Sequence, residues 1–195
     1  MRLLPSKFKY VLCASALLLA TTSSAFADDL SAMPEKVKAL KSPNGAHEVF
    51  DVNKGFSSDG EQNRELCIRK TKEKTKQRLL IYHRCLDVAW CPNSSMFVVN
   101  DNSGSNEVIP RLYSMKDLKH PVEIAPKLMS AVTDKKDKLA IQQSDMFLLV
   151  SATRWINPHA LEVTVRGAGA KPGCFKIMYE WDLKNSFKKL KRVNE

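Results

Sequence analysis

The sequence predicts a mainly β protein made of antiparallel sheets, with one short helix. Apolar and polar residues alternate along several short runs, which is typical of strands that are buried on one face. In one run Leu161, Val163 and Val165 fall on the same strand face, and in the next Phe175 and Ile177 begin a second apolar face. Turn residues separate these runs, so each strand is followed by a reversal of the chain.

Ten segments carry strand signals, and in chain order they are 46–52, 64–70, 78–84, 86–90, 96–101, 108–115, 146–155, 160–166, 174–182 and 187–193. Between them stand turn sequences such as Cys91-Pro92-Asn93-Ser94 and Asn157-Pro158-His159, and a longer glycine-rich loop at 167–173. Because reversals of this length join neighbouring strands, the sequence predicts antiparallel meander sheets.

One segment departs from the strand pattern. Residues 126–142 place Leu128, Met129, Val132 and Leu139 among lysines and aspartates, and Pro126 suits the first turn of a helix. This segment predicts one short helix that covers an end of the sheets.

The beginning of the chain has the three parts of a secretory signal peptide. Basic residues precede an apolar run, and small residues end in Ala25-Phe26-Ala27. We therefore expect cleavage near Ala27, a poorly ordered lead-in at 28–45 and a single β domain at 46–195, located in the periplasm or secreted. The apolar run is too short to cross a bilayer as a helix, so the protein is not expected to span a membrane.

Removal of residues 1–27 takes away three basic residues and no acidic ones, so the formal charge falls from +10 to +7. It also leaves an even number of cysteines in an oxidising compartment, which favours disulfides. A bond between Cys85 and Cys91 is excluded if the strand between them is extended, because the two would lie about 20 Å apart. Two pairings remain open, of which the first is favoured: Cys67–Cys85 with Cys91–Cys174, or Cys67–Cys91 with Cys85–Cys174. The alternative to both is that the four cysteines stay free thiols.

The segment Trp90-Cys91-Pro92-Asn93-Ser94-Ser95, followed by an apolar strand, resembles the blade signature of TolB-like and WD40-like β-propellers. Weaker versions are Ser42-Pro43-Asn44-Gly45 and Trp155-Ile156-Asn157-Pro158-His159. The resemblance implies small periplasmic proteins with a few such blades. Since ten strands are too few for a closed ring of four-stranded blades, it implies a partial propeller-like arrangement. It also implies that Trp90 and Trp155 pack between blades.

No motif predicts catalysis, a cofactor or a metal centre. The marker G-x-S-x-G is absent, and the histidines are scattered. The spacing of His83, Cys85 and Cys91 matches no common zinc pattern. The polar run that begins at Asp101 lacks the carboxylate expected at the twelfth position of a calcium loop, where Leu112 stands.

The sequence contains two basic clusters, and only the first is a candidate for partner binding. The first is a basic hairpin between two strands, with the candidate residues Lys70, Lys72, Lys74, Lys76 and Arg78. The second surrounds Phe187 and Leu190 in the last strand, which we expect to turn these two apolar residues inward and its lysines outward. Without interleaved aromatic residues, the basic hairpin is not expected to bind nucleic acid.

These features favour a non-enzymatic scaffold of the cell envelope that binds an envelope protein or an anionic envelope polymer. The competing hypothesis is an envelope enzyme or enzyme inhibitor that acts on anionic wall or lipid polymers.

Overall fold

The computed structural model describes residues 30–104, 106–171 and 173–194, which form a mainly β protein with two short helices. The predicted signal peptide at 1–27 lies outside the described residues. The strands are β1 (Ser31–Met33), β2 (Ala39–Lys41), β3 (His47–Phe56), β4 (Gln62–Lys70), β5 (Gln77–Tyr82), β6 (Cys85–Trp90), β7 (Met96–Asn102), β8 (Ile109–Ser114), β9 (Asp117–Glu123), β10 (Phe147–Asn157), β11 (Ala160–Gly169), β12 (Gly173–Trp181) and β13 (Phe187–Asn194). The helices are α1 (Ile124–Ala131) and α2 (Lys135–Gln142).

The described strands form three sheets. The first sheet has the order β2-β3-β4-β5, the second sheet β1-β6-β7-β8-β9, and the third sheet β10-β11-β12-β13. Every pairing is antiparallel, and every pair except that of β1 with β6 joins two strands that are consecutive along the chain. The predicted mainly β, antiparallel fold is confirmed.

The central strands of the second sheet are buried on both faces. Along β6, Leu86, Val88 and Trp90 pack into a core shared with the first sheet. Ala89, which points the opposite way, packs into a core shared with the third sheet and with both helices. Each large apolar side chain that is fully buried in such a core stabilises the fold by about 1.5–3 kcal/mol. The second sheet therefore lies between the other two.

Hydrogen bonds from buried side chains tie the three sheets together. The Trp90 indole N–H donates to the Leu40 carbonyl of the first sheet over 3.1 Å, and the Trp155 indole N–H donates to the Ala89 carbonyl of the second sheet over 3.2 Å. The Asn100 side-chain amide donates to the Ala152 carbonyl over 2.8 Å, and its oxygen accepts from the Ala152 N–H over 2.9 Å. A buried polar side chain whose hydrogen bonds are all made costs little free energy. Because these bonds join residues of different sheets, they fix the position of each sheet relative to the next.

Three described strands were not predicted. β1 and β2 lie in the segment expected to be a loose lead-in, yet Met33 at the end of β1 is fully buried. They are only three residues long and depend on pairing with β6 and β3, which a local pattern does not reveal. The third, β9, contains Pro121, and it tolerates the proline because it is the last strand of its sheet.

The single helix predicted at 126–142 is wrong, because the structure divides this segment into α1 and α2. Val132, whose backbone is extended, directly follows the last residue of α1. Asp134 directly precedes the first residue of α2. The Asp134 side chain accepts hydrogen bonds from the N–H groups of Lys136 (2.9 Å) and Asp137 (3.1 Å). An aspartate in this position satisfies backbone donors that the first turn leaves free, so it starts a new helix.

The glycine-rich loop predicted at 167–173 is mostly strand. β11 continues to Gly169, and β12 begins at Gly173. A Cβ atom at Gly167 would come within 2.6 Å of the Phe175 ring, and one at Gly169 would come within 2.1 Å of the Gln143 carbonyl oxygen. These two glycines therefore permit close packing against a ring and a helix end.

Among the described residues, no helix is both long enough and apolar enough to cross a membrane.

Candidate functional site

The basic hairpin joins β4 to β5 through a turn at 71–76 that is fastened to the rest of the first sheet. The Thr71 N–H donates to the Ala46 carbonyl over 3.0 Å, and the Thr71 hydroxyl donates to the Gly45 carbonyl over 2.7 Å. The Glu73 N–H donates to the Lys70 carbonyl over 2.9 Å. These bonds hold the turn against the β2–β3 reversal, so its lysines project from an anchored backbone.

Three of the five predicted binding residues have no ion-pair partner within the described parts of the chain. Lys72, Lys74 and Lys76 are exposed and free of carboxylate contacts there. Lys70 pairs with Glu73 at 3.0 Å, and Arg78 pairs with Glu65 at 3.3 Å. The hairpin therefore presents an excess of positive charge at its tip, whereas Arg78 is already engaged on the strand.

A cleft of about 280 Å³ opens beside the basic hairpin. Its polar side includes Lys70 and Lys76 together with Glu73, the ion-pair partner of Lys70, and its apolar side is formed by Ile68 of β4 with Met115 and Leu118 of the second sheet. Met115 directly follows the last residue of β8, and Leu118 is the second residue of β9. The sequence did not predict Met115 and Leu118 as part of the site, because they lie about 40 residues from the basic hairpin along the chain. They line the same cleft only because the first and second sheets pack together.

This arrangement places lysine side chains beside an apolar surface. Exposed lysines attract carboxylates and raise the association rate, and the attraction is screened by salt. The apolar wall of the cleft can receive a side chain that follows or precedes an acidic residue. Exposed charges alone give weak, salt-dependent attraction, whereas contact with the apolar wall would not depend on salt.

The predicted disulfides are absent among the described residues, because the structure leaves Cys67, Cys85, Cys91 and Cys174 as free thiols. Their surroundings differ. Cys67 is buried in β4, and Cys174 is exposed at the start of β12. The Cys85 sulfur accepts from the Asn102 side-chain amide at 3.7 Å, and the Cys91 thiol donates to the Pro158 carbonyl at 3.6 Å. Burial raises the pKa of the Cys67 and Cys91 thiols, which makes both less reactive.

The other polar candidates from the sequence lie apart from one another. The imidazole Nδ1 of His83 lies 3.1 Å from the Gln62 carbonyl oxygen. The Nδ1 atom of His120 lies 2.9 Å from the Asp117 carboxylate in the exposed first half of β9, and this contact lowers the pKa of the Asp117 carboxyl. Asp101 pairs with Arg111 at 2.9 Å. No group of three or more histidine, cysteine, aspartate or glutamate side chains in the described segments is arranged to hold a metal ion.

The second basic cluster differs from the prediction. Leu190 is 42% exposed, whereas Lys189 and Arg192 turn toward α2 and contact Asp137. The cause is an irregularity in the pairing of β13, where Tyr179 pairs with Lys189 but Met178 pairs with Lys191, leaving Leu190 as an extra residue. Such a bulge shifts the alternation by one position, so Lys189 and Arg192 fall on the same face.

Comparison of the chain with models of protein families, with curated proteins and with solved structures finds no match.

Proposed function

We propose that this protein is a non-enzymatic scaffold of the cell envelope that binds an acidic partner protein through its basic hairpin. The observation that carries the proposal is the cleft, where Lys70 and Lys76 face the apolar side chains of Met115 and Leu118. Positive charge and apolar surface next to each other suit a polypeptide better than a uniformly charged polymer. The fixed turn favours binding further, because little conformational freedom is lost when a partner arrives.

The proposed scaffold is a partial propeller of three blades, one for each sheet. Two repeated contacts support it. Trp90 donates its indole N–H to the carbonyl of Leu40, and Trp155 donates to that of Ala89. Leu40 stands two residues before Ser42-Pro43-Asn44, and Ala89 stands two residues before Cys91-Pro92-Asn93. The same contact thus joins equivalent positions of successive sheets, as the resemblance to propeller blades implies.

The proposed location is the periplasm or the outside of the cell, reached after cleavage near Ala27. Its support is the sequence pattern of residues 1–27.

Replacing Lys70, Lys72, Lys74 and Lys76 together by glutamine is expected to weaken binding to an acidic polypeptide about tenfold or more at low salt. The physical reason is that each lysine contributes a modest, screened attraction. Capture of poly-L-glutamate by the immobilised protein, measured at NaCl concentrations from about 0.05 to about 0.5 M, would show the loss, and the difference from wild type should shrink as salt rises.

A matched variant removes the same charge elsewhere. Lys36, Lys38, Lys184 and Lys188 are all exposed and make no ion pair within the described residues. Their replacement by glutamine should change capture by less than about twofold. Equal losses for the two quadruple variants would mean that net charge, rather than the hairpin, attracts the polymer. Pull-down from envelope extract with the same pair of variants would then identify the partner.

A further inference from the structure

A second cavity, of about 450 Å³, lies between α2 and β13 on the third sheet. Its walls include the four cationic side chains of Lys136, Lys171, Lys189 and Arg192, with Leu139 as an apolar neighbour. No carboxylate is among the described residues that line it. A cavity of this size is typical of sites for small ligands.

Two of these cations are held in place by a carboxylate behind the cavity. Asp137 is fully buried and lies 2.8 Å from the Lys189 ammonium nitrogen and 3.0 Å from Nη1 of Arg192. The Tyr179 hydroxyl donates to the same carboxylate over 3.1 Å. The Arg192 guanidinium also lies 5.6 Å from the centre of the Phe175 ring. Because these contacts fix both side chains, little order must be gained when a ligand binds.

The bulge at Leu190 is what brings the two cations together. Regular alternation would place residues 189 and 192 on opposite faces of β13, and the extra residue places both toward α2. A strand that ran without a bulge would send one of these charges into solvent on the far side of the sheet. The irregularity therefore creates the cationic wall.

The charges around the cavity do not balance. Asp137 and the partly exposed Asp134, which lies 3.4 Å from Lys189, together neutralise two of the four cations. Partial burial lowers the pKa of the Lys189 ammonium group. The hydrogen bond to Asp137 and the charge of Asp137 raise this pKa by more, so the net shift is upward. Two positive charges remain in excess, which matches a dianion.

Donors are also available to a ligand. Among the described residues Arg192 uses Nη1 for Asp137 and Nε for Asn194, which leaves its Nη2 group free to donate. Lys136 and Lys171 make no ion pair with any described residue. Leu139, on the same helix as Lys136, is 53% exposed and can cover an organic substituent.

We propose that this cavity binds a phosphate monoester. The phosphate group is a dianion near neutral pH and offers three acceptor oxygens to the lysine and arginine donors. The apolar neighbour favours a phosphate that carries an organic group over the inorganic ion. This binding does not depend on the basic hairpin, which lies on the first sheet.

The test uses the intact protein and two double variants of equal charge. Lys136→Gln with Lys171→Gln removes two cavity cations without touching Asp137, whereas Lys135→Gln with Lys138→Gln removes two exposed lysines of α2 that do not line the cavity. Titration calorimetry with inorganic phosphate and with phenyl phosphate is expected to show binding by wild type. The cavity variant should bind about tenfold or more weakly, and the control variant within about twofold of wild type.

The source of the phosphate is separated by a second probe. Sedimentation with vesicles that contain phosphatidic acid, lost in the cavity variant only, would assign a lipid headgroup, and binding of soluble phenyl phosphate alone would assign a soluble monoester. The proposal is overturned if wild type binds none of these probes, or if both double variants lose binding equally. Far-ultraviolet circular dichroism confirms that each variant is folded before it is titrated.

Discussion

Replacing Trp155 by alanine is expected to lower the free energy of unfolding by about 3–5 kcal/mol. The Trp155 side chain is 1% exposed and fills the core between the second and third sheets. Its indole N–H also bonds the Ala89 carbonyl, so the substitution leaves a buried acceptor without its partner as well as a cavity. Since small domains are stable by about 5–15 kcal/mol, this is a large fraction of the total.

Urea unfolding followed by far-ultraviolet circular dichroism measures this loss. The neighbouring substitution Ile156→Ala provides the control, because Ile156 is 39% exposed and should change stability by less than about 1 kcal/mol. Trp155→Phe keeps most of the packing and should fall between the two. If Trp155→Ala proved no more harmful than Ile156→Ala, the packing of the third sheet against the second would be wrong.

Replacing Asp137 by alanine is expected to cost about 3 kcal/mol. The substitution leaves the charges of Lys189 and Arg192 without their buried partner and removes an acceptor from the Tyr179 hydroxyl. The expected loss lies at the low end of the range for buried ion pairs, because the side chains of Lys189 and Arg192 are 35% and 24% exposed and solvent can compensate them in part.

Asp134→Ala is the matched change on the same helix. It removes a carboxylate that lies 3.4 Å from Lys189 and caps α2, but the Asp134 side chain is 46% exposed. We therefore expect a smaller shift of the urea midpoint for Asp134→Ala than for Asp137→Ala. The reverse order would show that the helix cap, rather than the buried carboxylate, holds α2 on the third sheet.

The sequence predicts the strands whose alternation is regular and misses those that depend on partners far along the chain. Leu161, Val163 and Val165 alternate and are all buried in the third sheet, where β12 pairs with them. β1 has only three residues and no pattern of its own, and its place beside β6 becomes visible only when the fold is known. Local periodicity reports the two faces of a strand, but it cannot report which strand lies beside it.

The candidate sites likewise combine residues that the local sequence reveals with residues that only tertiary packing brings together. The lysines of the basic hairpin are recognisable from their spacing, whereas Met115 and Leu118 join them only because two sheets pack together. The cationic cavity depends on the bulge at Leu190, which places Lys189 and Arg192 on one strand face where regular alternation would separate them. Bulges and contacts between sheets are tertiary features, so single-sequence patterns predict the charge of these sites but not their shape.

Hydrogen exchange followed by mass spectrometry, with and without poly-L-glutamate, tests the proposal that the basic hairpin binds an acidic chain while the stacked sheets hold the hairpin in place. We expect slower exchange in peptides that cover 70–78 and 115–118, and unchanged exchange in those that cover 136–143 and 187–194. Protection of the latter segments with an unchanged hairpin, or no protection anywhere at a concentration that saturates capture, would contradict it.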